Sequence, residues 1–97
     1  MIEVTRHTDR IKIKGHANYA EPGKDIVCAA VSVLVQTLIQ SVEELTLDII
    51  EYKMRPGRVD IKFWCLSEQS KVLIDAFFIG IKGIAEAHPD NVTLTER

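Results

Sequence analysis

The feature that most constrains this chain is the alternation of apolar and polar residues in four short segments. Ile2 and Val4, then Ile11 and Ile13, stand at every second position in Ile2 to Arg6 and Arg10 to Lys14; Ile50, Tyr52 and Met54, then Val59, Ile61, Phe63 and Cys65, repeat the pattern further on. Successive side chains of a strand point to opposite faces of a sheet, so each segment predicts a strand that is apolar on one side and polar on the other. Such a sheet needs one covering layer. That excludes a parallel sheet wrapped by helices on both sides, whose strands are apolar throughout.

The breaks between these segments have turn chemistry. His7-Thr8-Asp9 links the first two strands and Pro56-Gly57 the second two, which predicts two hairpins. Gly15 to Lys24 follows no period, contains two glycines and Pro22, and reads as a long loop. The covering layer comes from two stretches with a three- or four-residue period. Asp25 is placed to cap a helix carrying Val27, Val31, Leu34, Leu38, Val42 and Leu45. Ser67 is placed to cap a second, with Leu73, Phe77, Ile81 and Ile84, which Pro89 stops.

The expected fold is α+β: a two-layer ββαββα unit with a mainly antiparallel sheet and two helices on one face. Val92 to Thr95 can add a short last strand. In the second helix Ile74 and Phe78 form an extra apolar row, more than one small sheet is expected to cover, and this points to a homodimer. At 97 residues the chain has room for one domain and one core, so any site must share elements with that core or with a second subunit.

Charge narrows the function classes. The 12 basic and 14 acidic residues nearly cancel and form no long run of either sign, so no direct contact with nucleic acid is expected. Glu3, Arg6 and His7 interrupt the N-terminus before a signal-like apolar segment can form. The most apolar stretch, Ile26 to Val35, is about half of the ~20 residues that span a bilayer. The expected setting is the cytoplasm, without a membrane partner, and there Cys28 and Cys65 are reduced thiols.

Each thiol then needs its own account. Cys65 continues the apolar face of Val59, Ile61 and Phe63 and is expected in the core. Cys28 falls in the first turn of the first helix, where unpaired N–H groups and the positive dipole end favour a thiolate. A free cysteine also packs well as a small hydrophobe, so position alone leaves both readings open. His16 favours the reactive one. It ends the first hairpin, Cys28 begins the following helix, and the two ends of such a connection commonly meet at one sheet edge, where an imidazole can take the thiol proton.

Asp25 is placed as the cap and could also orient His16; Ser32 lies one turn beyond Cys28 on the same helical face. Gly15 and Gly23 bracket the loop, where glycine can supply a positive φ or close approach to a substrate backbone. No Cys-x-x-Cys or paired-histidine spacing exists, so neither a metal site nor a cofactor is expected.

Gly15-His16-Ala17-Asn18-Tyr19-Ala20, followed by Gly23-Lys24-Asp25-Ile26-Val27-Cys28-Ala29-Ala30-Val31-Ser32, resembles the ribosomal-processing cysteine protease family, Prp. The resemblance covers essentially the whole chain and is specific in these two blocks. It implies a dimeric cysteine protease that removes the N-terminal extension from the precursor of large-subunit ribosomal protein L twenty-seven. It also implies His16 and Cys28 as the catalytic pair, with Asp25 and Ser32 in support. The alternative reading is a non-catalytic dimeric peptide-binding module associated with ribosome assembly.

Overall fold

A computed structural model describes all 97 residues. Seven elements follow in order: β1 (Ile2–Arg6), β2 (Arg10–Lys14), α1 (Ile26–Leu45), β3 (Ile50–Arg55), β4 (Arg58–Phe63), α2 (Glu68–Ala87) and β5 (Val92–Glu96). The strands form one sheet in the order β3-β4-β2-β1-β5. All pairings are antiparallel except that of β5 with β1. Two helices cover one face of this sheet, so the α+β expectation holds and the short last strand is present.

The core follows from the alternation. Ile2, Val4, Ile11, Ile13, Ile61, Phe63 and Val92 are buried on the inner sheet face. Val27, Val31, Val35, Leu38, Ile39 and Val42 form the buried stripe of α1, and Ile74, Phe77, Phe78 and Ile81 that of α2. An 18-residue window within α1 reaches a mean hydropathy of 1.7, longer and more apolar than Ile26 to Val35 alone. Its buried stripe over the sheet accounts for part of that apolarity, while Ile26, Val33 and Leu45 are exposed.

Both caps form as their residue types dictate. Ser67 accepts a hydrogen bond from the Ser70 N–H at the start of α2. Asp48, between α1 and β3, accepts from the Ser67 N–H at 3.0 Å and from the hydroxyls of Ser67 and Ser70. These hydroxyls hold the Asp48 carboxyl below its ordinary value. Ser70 is the one fully buried polar side chain, and this cluster satisfies it.

Two expectations are corrected. Cys65 is not in the core: β4 ends at Phe63, and Cys65 is exposed with φ +52°. The chain leaves the sheet while the alternation in the sequence runs on. Ile74 and Phe78 are buried within the single chain, because the inner face also takes up Arg6, whose guanidinium stacks 4.4 Å from the Phe78 ring centroid. The apolar surplus of the helical layer lies instead at Val33, Val72 and Ile79, all exposed. The inner side of β3 is also left half open, with Tyr52 and Met54 exposed.

Candidate functional site

The loop from Gly15 to Lys24 is built around a single carboxylate. Asp25 Oδ1 accepts from the Cys28 N–H at 2.9 Å, the N-cap bond of α1. Its other oxygen accepts from the N–H of Tyr19 at 2.9 Å and of Ala20 at 3.3 Å. These backbone donors, Cys28 foremost, hold the Asp25 carboxyl below its ordinary value. Asp25 thus ties the middle of the loop to the start of the helix. His16 is three residues before Tyr19, at most about 11 Å of extended chain.

The loop is fastened at two further points. Ala17 is buried, and its carbonyl accepts from Asn91 Nδ2 at 2.9 Å, just before β5. The Tyr19 ring meets the ring of His88, the C-cap of α2, edge to face at 5.2 Å. Gly15 and Gly23 have φ of +96° and +85°, so glycine at both ends of the loop serves backbone geometry that other residues rarely adopt.

His16 is exposed at the end of β2, with its imidazole against the β3–β4 turn. A Cβ added to Gly57 would lie 2.9 Å from His16 Nε2. Cys28 is half-buried in the first turn of α1, with part of its surface against the core. The two side chains are not hydrogen-bonded to each other; in ligand-free enzymes such bonds often form only when substrate arrives. Asp25 spends its oxygens on backbone donors and makes no bond to His16. Ser32 is exposed one turn beyond Cys28.

The cap alters the electrostatic expectation for Cys28. The carboxylate of Asp25 occupies the positive end of α1 and takes the N–H of Cys28 itself. The field that a bare helix terminus would offer a thiolate is therefore offset. A thiolate at Cys28 would then need a base, and His16 is the one imidazole that the loop carries. Cys65 lies elsewhere, beside the β1–β2 turn at the opposite end of the sheet.

Gly57 and Asn91 are site-forming residues that sequence reasoning did not single out. The Pro56-Gly57 turn signal was visible, but its place beside His16 follows only from the pairing of β2 with β4, which sets Lys14 opposite Arg58. Nothing in the sequence marked Asn91.

The family model described as cysteine protease Prp matches residues 1–93 of the chain. The ribosomal processing cysteine protease Prp of Mycoplasma genitalium is 29% identical over 96 residues, covering 99% of this chain and 96% of that protein. Its counterpart in Bacillus subtilis is 30% identical over 94 residues, covering 87% and 81%. Among solved structures, an essential ribosomal processing protease Prp from S. aureus in complex with a covalently linked product peptide matches with a TM-score of 0.96. It is 21% identical, and both chains are covered completely. A Streptococcus mutans protein matches with a TM-score of 0.86 at 32% identity, covering 99% of this chain and 93% of that one. The protein is thus a cysteine protease. It belongs to the Prp family of ribosomal processing cysteine proteases.

Proposed function

We propose that the protein removes the N-terminal extension of ribosomal protein L twenty-seven in the cytoplasm, with Cys28 as nucleophile and His16 as its base. The observation that carries this reading is the placement of Cys28 in a capped first helical turn, bound through Asp25 to the loop that carries His16. His16 takes the Cys28 proton, and the thiolate attacks the scissile carbonyl. The tetrahedral intermediate collapses as the imidazolium gives that proton to the leaving amine, leaving a thioester on Cys28. His16 then takes a proton from water, whose attack on the thioester releases the carboxylic acid and restores the thiol. Asp25 acts here by positioning, through the loop. Ser32, exposed one turn beyond Cys28, takes the supporting role that the family resemblance implies.

The decisive experiment is incubation of the purified protein with the extended precursor, followed by the masses of the products. Two peptides summing to the precursor plus one water are expected. An intact precursor bound without cleavage would replace this reading with that of a peptide-binding module.

Gly57 offers a test of the base that leaves both reacting residues in place. An added methyl group would crowd His16 Nε2 and displace the imidazole. Displacements of about 1 Å cost on the order of a hundredfold in rate. Gly57→Ala is therefore expected to lower kcat about that much with little change in KM. An unchanged kcat in the folded variant would mean that the imidazole does not work from its place against Gly57.

The helical layer is also proposed to pair with a second copy. Val33 and Ile79 are exposed immediately beside Leu34 and Gly80, where α1 and α2 pack so closely that a Cβ on Gly80 would lie 2.9 Å from Leu34. Both are exposed apolar side chains next in sequence to the residues of that helix contact. Sedimentation at micromolar concentration is expected to show two-subunit particles that Ile79→Glu converts to monomers; monomers in the parent protein would end the proposal.

A further inference from the structure

The near balance of charge in the sequence conceals a separation in space. On the outer face of the sheet, away from the helices, strands β3, β4 and β2 present three cross-strand rows. Arg55, Arg58 and Lys14 form the first; Lys53, Asp60 and Lys12 the second; Glu51, Lys62 and Arg10 the third. Seven of these nine residues are basic, out of 12 in the whole chain. The alternation that buries Ile11, Ile13, Ile61 and Phe63 on the inner face places these cations together on the other. At ordinary strand spacing they cover a patch of about 10 by 14 Å. It floors an open depression of about 720 Å³.

The patch is not neutralised from within. Arg58 is paired with Asp60 at 3.0 Å and Arg10 with Asp9 at 3.1 Å. Lys12, Lys14, Lys53, Arg55 and Lys62 carry no salt bridge. Asp60 is held below its ordinary value chiefly by Arg58, with Lys12 and Arg55 adding to the effect, so one carboxylate serves several cations. Three cross-strand pairs set like charges face to face, Arg55 against Arg58, Arg58 against Lys14, and Lys62 against Arg10, while Glu51 faces Lys62 and Glu3 faces Lys14 without a salt bridge. Like-charged pairs destabilise a sheet, and an external polyanion would relieve them.

We infer that the outer sheet face binds the phosphate backbone of double-helical RNA. The face has cations but no apolar anchor, whereas protein partners are held chiefly by buried aromatic and apolar side chains. Its nine outward residues include no aromatic on which bases of a single strand could stack; Tyr52, which borders the same depression, belongs to the inner-face register. Beside the basic rows, Thr5, Thr93 and Thr95 continue the same face across β1 and β5, with Glu3 the one carboxylate among them. A flat, hydroxyl-bearing, cationic surface suits the wide, shallow minor groove of A-form RNA, with its 2′-hydroxyls and flanking phosphates. Recognition of this kind is independent of base sequence. It requires no step at Cys28, so it stands or falls apart from the cleavage reaction.

The test is titration of the full-length protein into a fluorescent RNA duplex of about two helical turns. With five free cations engaged, affinity is expected to fall about 500-fold between 50 and 200 mM salt. The variant Lys12→Ala/Lys53→Ala/Lys62→Ala should bind more weakly at low salt and lose only about 12-fold over the same range. Lys71→Ala/Lys82→Ala, with its changes on α2, should match the parent. Melting curves establish that each variant is folded, and the single edge-strand change Lys53→Glu provides the same comparison with less perturbation. Binding that is unaffected by the sheet-face changes would overturn the inference. So would equal affinity for a DNA duplex of the same length, or binding to phosphatidylserine vesicles without binding to RNA.

Discussion

Cys28→Ser is expected to leave a folded protein that cleaves its precursor at least about a thousandfold more slowly than the parent. The fold survives because the swap is nearly isosteric and the side chain is only half-buried, so the hydroxyl has access to solvent. Cleavage fails because a serine hydroxyl has no accessible anion near neutral pH, and the Asp25 carboxylate at the head of α1 does nothing to favour one. His16→Ala should fall nearly as far, with slow residual turnover from whatever backbone donors still hold the scissile carbonyl. Cys65→Ser should keep the parent rate, since that thiol is exposed at the far end of the sheet. The assay is product mass against time, with the melting temperature measured on each sample. Near-parent cleavage by folded Cys28→Ser would mean that another group is the nucleophile.

The largest effect on stability is expected at Gly15. Its φ of +96° is costly for any residue with a Cβ, and here a Cβ would also overlap the carbonyl oxygen of Met1, a backbone atom that cannot rotate away. Met1 cannot retreat freely, because the adjoining Ile2 N–H is bonded to the Asn91 carbonyl at 2.8 Å. The left-handed conformation alone costs roughly 1–2 kcal/mol, and the overlap adds to it, so Gly15→Ala is expected to lose at least about 2 kcal/mol. For a domain of this size that lowers the melting temperature by about 8–16 °C. Gly23→Ala is the internal control: its φ is also positive, but a Cβ there would meet nothing within 4 Å. Equal melting of the two variants would refute the role given to Met1.

What the sequence disclosed and what it withheld divide along physical lines. Strands, helices and both caps were legible because each rests on local rules: a period of two, a period near 3.6, an aspartate or serine before the first turn. Cys65 was misread because alternation records which side a residue faces only while the chain stays in the sheet; the turn after Phe63 leaves no mark on the apolar pattern. Ile74 and Phe78 were misassigned because counting apolar rows does not reveal how much surface the facing sheet can cover. The basic face went unseen for a related reason. Its cations enter one at a time between apolar neighbours on three strands, so no run appears, and only the register gathers them. At the site, His16 and Cys28 were marked by the residues around them, whereas the approach of Gly57 to the imidazole and of Asn91 to Ala17 depends on long-range pairing.

That last bond bears on when the protein can first work. Asn91 fastens the loop through Ala17, and β5 closes the sheet by pairing with β1, so residues from the two ends of the chain must meet before the loop is held. Contacts of such sequence separation form late and slowly, because the closure entropy of the intervening chain opposes them. A nascent chain emerging from the ribosome can build the first hairpin and α1, and so contain both His16 and Cys28, while Asn91 is still in the exit tunnel. Its loop is then untethered. Synthesis itself thus delays assembly of the site until the last strand is free to add.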